Sequence, residues 1–164
     1  MKTLTKLFAA IIASLSMAAV ASAHSGEKAQ ALANAQVSAV QAIQAATAHT
    51  AGQASEVDFS NKYGQAFYEV DVVSNQQKHE IHIDANTGKV LNSRVKRADY
   101  DDLAITQAKV SLIDAINVVE SKTGQKVKEA HIDDEHGQLL FEVETLAPNM
   151  KQELRVDATT GNVL

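Results

Sequence analysis

The chain has 164 residues, 15 basic against 20 acidic, a formal charge of −5 and no cysteine. That acidic balance argues against a nucleic-acid partner, whose phosphates demand clustered Lys and Arg. The missing thiols exclude disulfides, a cysteine nucleophile and a lipid-modified cysteine.

At the N-terminus Lys2 and Lys6 precede an apolar run from Leu7 to Val20 and the small residues Ala21-Ser22-Ala23. This is the charged, apolar and small-residue order of a secretory signal peptide, with cleavage expected after Ala23. Nothing later approaches the roughly 18 apolar residues of a membrane span. An exported protein is expected, most simply periplasmic, with no stable membrane span after cleavage.

A helix is predicted next, beginning near Ser25 and carrying a stripe of Val37, Val40, Ile43 and Ala46. Its counterpart, 73 residues on, carries Val110, Ile113, Ile116 and Val119 and is predicted to start at Thr106, a good N-cap residue. Gly52 and Gly124 follow the two stripes, where a left-handed helix stop suits glycine.

After each helix the apolar period falls from about 3.6 to 2, the sign of a half-buried strand. Val57 and Phe59 alternate, then Tyr68, Val70 and Val72, then Ile81 and Ile83. The second half repeats this with Ala130 and Ile132, with Phe141, Val143 and Thr145, and with Leu154 and Val156. Between them stand Glu69, Asp71, Glu80, His82 and Asp84 in the first half, and Glu142, Glu144, Glu153, Arg155 and Asp157 in the second. These predict a water-facing side. Gly64 and Gly137 mark the first turns, and Asp84-Ala85-Asn86-Thr87-Gly88 and Asp157-Ala158-Thr159-Thr160-Gly161 the last, each leading into a short strand at Val90-Leu91 or Val163-Leu164.

The segment 80–91 thus returns at 153–164, 73 residues later, with seven of its twelve residues identical. The predicted fold class is α+β: two tandem repeats, each a helix packed on an antiparallel three- to four-stranded meander, after the signal peptide. The boundaries are residues 1–23 for the signal, 24–93 for the first repeat, 94–103 for a linker and 104–164 for the second repeat. Arg94, Lys96 and Arg97 fall in a solvated linker on this reading. A unit of about 70 residues without disulfides is marginal alone, so the repeats are expected to lean on each other, with Val95, Tyr100 and Leu103 packing between them.

Candidate chemistry is thin. His79-x-x-His82 with Glu80 and Asp84 offers imidazole and carboxylate ligands for copper or zinc. On a strand His79 and His82 diverge, so only Glu80, His82 and Asp84 share a side. Cleavage after Ala23 makes His24 the N-terminal residue, whose amine and ring together chelate copper. Its partners would come from His49, His79, His82, His131 and His136. The acidic stretch from His131 to His136 reads as a solvated hairpin. No Gly-x-Ser-x-Gly elbow, His-Glu-x-x-His helix or glycine-rich phosphate loop is present, so no catalytic residue, cofactor or enzymatic activity is expected.

A helix followed by strands that end in an Asp-x-x-Thr-Gly-x-Val turn resembles the PepSY domain, here in two copies from about Ala29 to Leu91 and Thr106 to Leu164. The resemblance implies a small, generally non-catalytic α+β module of secreted proteins that restrains or assists peptidases or serves as an extracytoplasmic interaction domain. The expected partner is a protein or peptide, such as a peptidase or membrane sensor, met through sheet edges. No catalytic domain follows Leu164, so any restraint of a peptidase is expected in trans. Metal binding through His24, Glu80, His82 and Asp84 is the alternative.

Overall fold

The computed structural model describes residues 18–164 apart from Asn149. Most of the expected signal peptide, and the side chain of His24, lie outside the described residues. Helix α1 spans Ala18–Asn34, α2 Ala39–His49, α3 Tyr100–Ala104 and α4 Leu112–Thr123. Strands β1 (Gln53–Lys62), β2 (Gln65–Ser74), β3 (Gln77–Asp84) and β4 (Val90–Arg97) come before α3, and β5 (Val127–Glu135), β6 (Gln138–Ala147) and β7 (Met150–Asp157) after α4.

The seven strands form one antiparallel sheet in the order β4-β3-β2-β1-β5-β6-β7. Its middle is the seam between the halves, where Glu56 pairs with His131, Val57 with Ala130 and Asp58 with Glu129. The halves therefore share a sheet, which is a closer union than two ribbons resting on each other. α2 and α4 lie on one face. They bury Ala39, Ala42, Ile43 and Ala46, and Leu112, Ala115, Ile116 and Val119, against Val57, Phe59, Tyr68, Val70, Val143 and Phe141 in one continuous core. At its centre Phe59 meets Tyr68 edge-on at 5.2 Å, and the Tyr68 hydroxyl donates to the Val37 carbonyl at 3.0 Å.

Helix starts differ from expectation for a local reason. The predicted first helix is two, broken over residues 35–38, and Val37 precedes the N-cap Ser38. Ser38 and Gln41 cap each other reciprocally, as do Ser111 and Asp114, which satisfies two backbone donors at each start. Thr106 has no acidic or amide partner three residues on. It lies in a single 3-10 turn, Ile105–Gln107, with its hydroxyl on the Leu103 carbonyl at 2.8 Å.

The glycines separate likewise. Gly124 is the left-handed C-cap of α4, with φ 68°. Gly52 is no such stop: Thr50 caps α2 in extended conformation. At Gly52 a Cβ would run into the Val73 carbonyl and the Val72 side chain, so glycine is required there by close approach. The charged segment after Leu91 also departs from expectation, because β4 continues through Arg97 and α3 follows directly. Val95 and Tyr100 are exposed rather than packed between the halves.

Replacing Gly52 with alanine is expected to cost about 1–3 kcal/mol through overpacking. Replacing Gly26, in α1 with open space around it, is expected to gain about 0.5–1 kcal/mol. Urea unfolding of both variants checks the pair; equal effects would contradict the close approach at Gly52.

Candidate functional site on the charged sheet face

The face of the sheet opposite α2 and α4 carries the residues expected to face water. Alternation delivers them: Glu56 and Asp58 on β1, Glu69 and Asp71 on β2, Lys78, Glu80 and His82 on β3, Glu129 and His131 on β5, and Glu142 and Glu144 on β6 are cross-strand neighbours. Burial does not follow suit. Asp71 is 4% exposed and Glu80 3%, which corrects the expectation that both are solvated. The cause lies in neighbours. Phe67 and Val73 share the parity of Glu69 and Asp71 on β2 and are themselves buried, while α3 and β4 cover the acids with their own charged side chains.

Three ion networks result. In the first, Lys78 Nζ stands 3.0 Å from Asp71 Oδ2 and 3.0 Å from Asp102 Oδ2, and the Ser55 hydroxyl reaches Asp102 Oδ1 at 3.5 Å. Asp102 is also half of a capping box with Asp99 that starts α3, so this ammonium fastens α3 to the sheet. Burial works to lower the Lys78 pKa, and bonds to the two carboxylates more than reverse that, leaving it raised. Asp71 is raised by burial, against the pull of Lys78. Glu56, beside Asp71, is pushed up to about 7 by burial and by the Asp71 charge.

In the second network Glu80 is held by Arg94 and Lys96 from β4. Burial raises its carboxyl, and hydrogen bonds from the two cations outweigh that and hold it below the ordinary range. His82 Nε2 lies 3.0 Å from Glu69 Oε2 and 3.6 Å from Glu80 Oε1, its ring stacked on Phe67 at 4.8 Å. The basic residues Arg94 and Lys96 are thus structural cations of a strand rather than part of a solvated linker. In the third, Lys128 approaches Asp58 at 3.6 Å and Glu144 at 3.4 Å, with His131 3.6 Å from Glu142.

The predicted metal candidates part company here. Glu80 and His82 converge, joined by Glu69, with ligand atoms within 4.8 Å of one another. Asp84 stands apart from them: its Oδ1 accepts from the backbone N–H of Asn86 at 3.0 Å and Thr87 at 2.8 Å, which lowers its pKa. An ion at the trio would have to displace the two cations already on Glu80. Sequence reasoning missed Lys78, Asp71, Asp102 and Glu56 as a group. The available signal was Asp71 set inside Val70-Asp71-Val72-Val73, where apolar residues of both parities announce a strand covered on both faces.

Fold and site together define a helix-and-meander α+β module whose second sheet face carries charge networks. The chain belongs to the PepSY family, since the model of the peptidase propeptide and YPEB domain matches residues 36–94 and 109–164. PepSY domains are propeptide and regulatory modules, generally non-catalytic. The Bacillus subtilis (strain 168) protein YkoJ is 23% identical over 114 residues, covering 69% of this chain. The chain spans 64% of YkoJ's length. Among solved structures, a Clostridium difficile 630 protein described as a candidate lipoprotein aligns with a TM-score of 0.49 at 18% identity, over 84% of this chain and 96% of that one. The YpmB protein from Bacillus subtilis aligns with a TM-score of 0.33 at 19% identity, over 76% of this chain and 92% of its own. Among the described residues no helix is long and apolar enough to cross a membrane.

Because Glu56 binds its proton more tightly in the folded chain, the folded state loses stability as pH rises from the ordinary glutamate range through about 7. Glu56→Gln is expected to shrink the drop in unfolding free energy between pH 5 and pH 8 by about 1–2 kcal/mol after allowance for solvent screening. Superimposable pH profiles for the two proteins would contradict the assignment.

Proposed function

We propose that this chain is an exported, non-catalytic module that holds a protein or peptide partner at the β4 edge of its sheet. The supporting observation is β4 itself. It is a terminal strand, it runs for eight residues, and every one of them is exposed, Val90, Leu91 and Val95 included. An outer edge of this length offers a row of backbone donors and acceptors to an extended segment, and alternate side chains give selectivity. The opposite edge is less open, since Val163 bridges back to Val156 and the Leu164 N–H donates to Arg155.

Export rests on the order of residues 1–23, and a periplasmic destination on the same pattern. Restraint of a secreted peptidase in trans is the finer reading, supported by the propeptide members of the family. The acidic face serves the fold in this account, and the edge serves the partner.

Tagged protein and a Leu91→Lys/Val95→Lys variant, used side by side as bait in periplasmic extract, test the edge. Lysines on an edge strand repel strand addition while leaving the β3–β4 ladder intact. Recovery of a specific partner is expected to fall about tenfold for the variant, which corresponds to 1.4 kcal/mol; equal recovery removes the edge from the account. Addition of the protein to secreted metallopeptidases, with no slowing at micromolar concentration, removes the peptidase reading alone.

A further inference from the structure

We infer that the partner held at the β4 edge is an extended polypeptide segment with acidic residues at alternate positions, an inference that rests on β4 being the binding strand. β4 reads Val90-Leu91-Asn92-Ser93-Arg94-Val95-Lys96-Arg97, three cations and no acid in a chain of formal charge −5. Cross-strand pairing sets Arg94 opposite Glu80 and Lys96 opposite Lys78, so both cations stand on the charged face of the sheet. Val95, opposite His79, takes the other face.

The cations of β4 outnumber the acids they meet. Arg94 and Lys96 share the single carboxylate of Glu80, which is 3% exposed, while their own side chains remain 56% and 45% exposed. Arg94 contacts Glu80 through Nε and Nη2, and among the described residues its Nη1 has no hydrogen-bond partner. Arg97 is exposed as well. The opposite edge strand, β7, differs: Lys151 and Arg155 each have an acid of their own, Glu144 at 2.7 Å and Glu135 at 2.8 Å.

The rest of the sheet shows what its cations take as neighbours. Lys128 on β5 reaches an acid on each adjoining strand, Asp58 on β1 at 3.6 Å and Glu144 on β6 at 3.4 Å. Lys78 on β3 is likewise held from two sides, by Asp71 on β2 and Asp102 of α3, at 3.0 Å each. β4 has an acid-bearing strand on one side only. The strand that completes the pattern carries carboxylates across from Arg94 and Lys96 and, because side chains alternate, an apolar residue across from Val95. A guanidinium has five N–H donors and an ammonium three, so each cation can serve Glu80 and a second carboxylate together.

Such a partner is selected as well as attracted. Charged side chains on an edge discourage pairing with a strand that cannot neutralise them, and β4 of a second copy would bring like charges together. The outer row of backbone groups suits a polypeptide. Cations strung along one strand, Arg94 and Lys96 on one face and Arg97 on the other, form no flat basic surface for lipid headgroups. Lysine at position 95 would meet the apolar residue of the segment, so the loss expected of the Leu91→Lys/Val95→Lys variant holds for an acidic partner too.

Fluorescence anisotropy of the full chain with two dye-labelled peptides, Thr-Val-Glu-Val-Glu-Val-Thr and its Thr-Val-Gln-Val-Gln-Val-Thr counterpart, tests the inference, with amide hydrogen exchange of β4 locating the contact. The acidic peptide is expected to bind with a Kd below about 1 mM at about 50 mM salt, at least about tenfold tighter than the glutamine peptide. Most of that advantage is expected to vanish at about 500 mM salt, a reading that needs no altered chain. Arg94→Gln and Lys96→Gln, each of which leaves the other cation on Glu80, are expected to cut the advantage about threefold or more. Arg155→Gln, on the opposite edge, is expected to leave it unchanged, and an equal loss there overturns the proposal. Equal binding of the two peptides with β4 protected overturns the acidic preference and leaves the edge standing. Binding of the acidic peptide without protection of β4 overturns both, and no binding of either peptide overturns the acidic segment while recovery from extract decides the edge. Binding to phosphatidylglycerol vesicles tighter than to the acidic peptide, and lost in the same variants, assigns the cations to a lipid surface and overturns the proposal.

Discussion

The structure depends on one junction, built twice. Ala85 and Ala158 are fully buried at the start of the Asp-x-x-Thr-Gly turns. Each donates its N–H to the strand beside it, at Ala66 and Leu139, and accepts at its carbonyl from the lead-in of its own helix, Val37 or Val110, at 2.9 and 3.0 Å. Three elements meet at a single residue. The preceding aspartate holds the turn rigid by accepting two backbone N–H bonds, at 3.0 and 2.8 Å for Asp84 and 2.9 and 2.7 Å for Asp157. The turn glycines take φ of 71° and 76°, which other residues adopt only with strain, and lie against Val37 and Val110. This accounts for the residues that recur unchanged at the turn, Asp84/Asp157, Ala85/Ala158 and Gly88/Gly161: each of them touches strand, turn or helix lead-in at the junction.

With each helix latched to its own hairpin, the first strands of the two halves pair at the seam and the apolar faces merge. The opposite face is left to charges, which the fold does not simply expose, because Asp102 of α3 and Lys28 of α1 meet it and the β4 side chains Arg94 and Lys96 reach onto it. Lys78, Arg94, Lys96 and Lys128 answer the buried acids. Lys126 plays a related part, donating to the carbonyls of Leu32, Ala33 and Ala35 at the end of α1, where a cation complements the helix dipole. Such networks fix which element sits where more than they add stability, since burying paired charges costs nearly what their attraction returns.

Periodicity made much of this legible in the sequence. The alternation at Tyr68, Val70 and Val72, the stripe at Ala115, Ile116 and Val119, and the recurrence of the Asp-x-x-Thr-Gly turn follow from one-dimensional patterns that report local geometry. The pairing of β1 with β5 is a long-range choice with no local mark, so the single sheet was hidden. The burial of Asp71 and Glu80 was hidden for the same reason: alternation says which face a side chain takes, and only tertiary structure says what covers that face. The basic residues of β4 look like linker in isolation. They become strand residues once Glu80 lies across from Arg94.

The latch is tested most directly by amide hydrogen exchange at Val37 and Val110, whose N–H groups bond to Ala85 and Ala158. In an Asp157→Ala variant, exchange at Val110 and Lys109 is expected to accelerate about tenfold or more while Val37 keeps its protection, each lost turn bond being worth about 1 kcal/mol or more. Unchanged exchange at Val110 in a folded variant would contradict the claim that the turn aspartate holds the helix to the sheet.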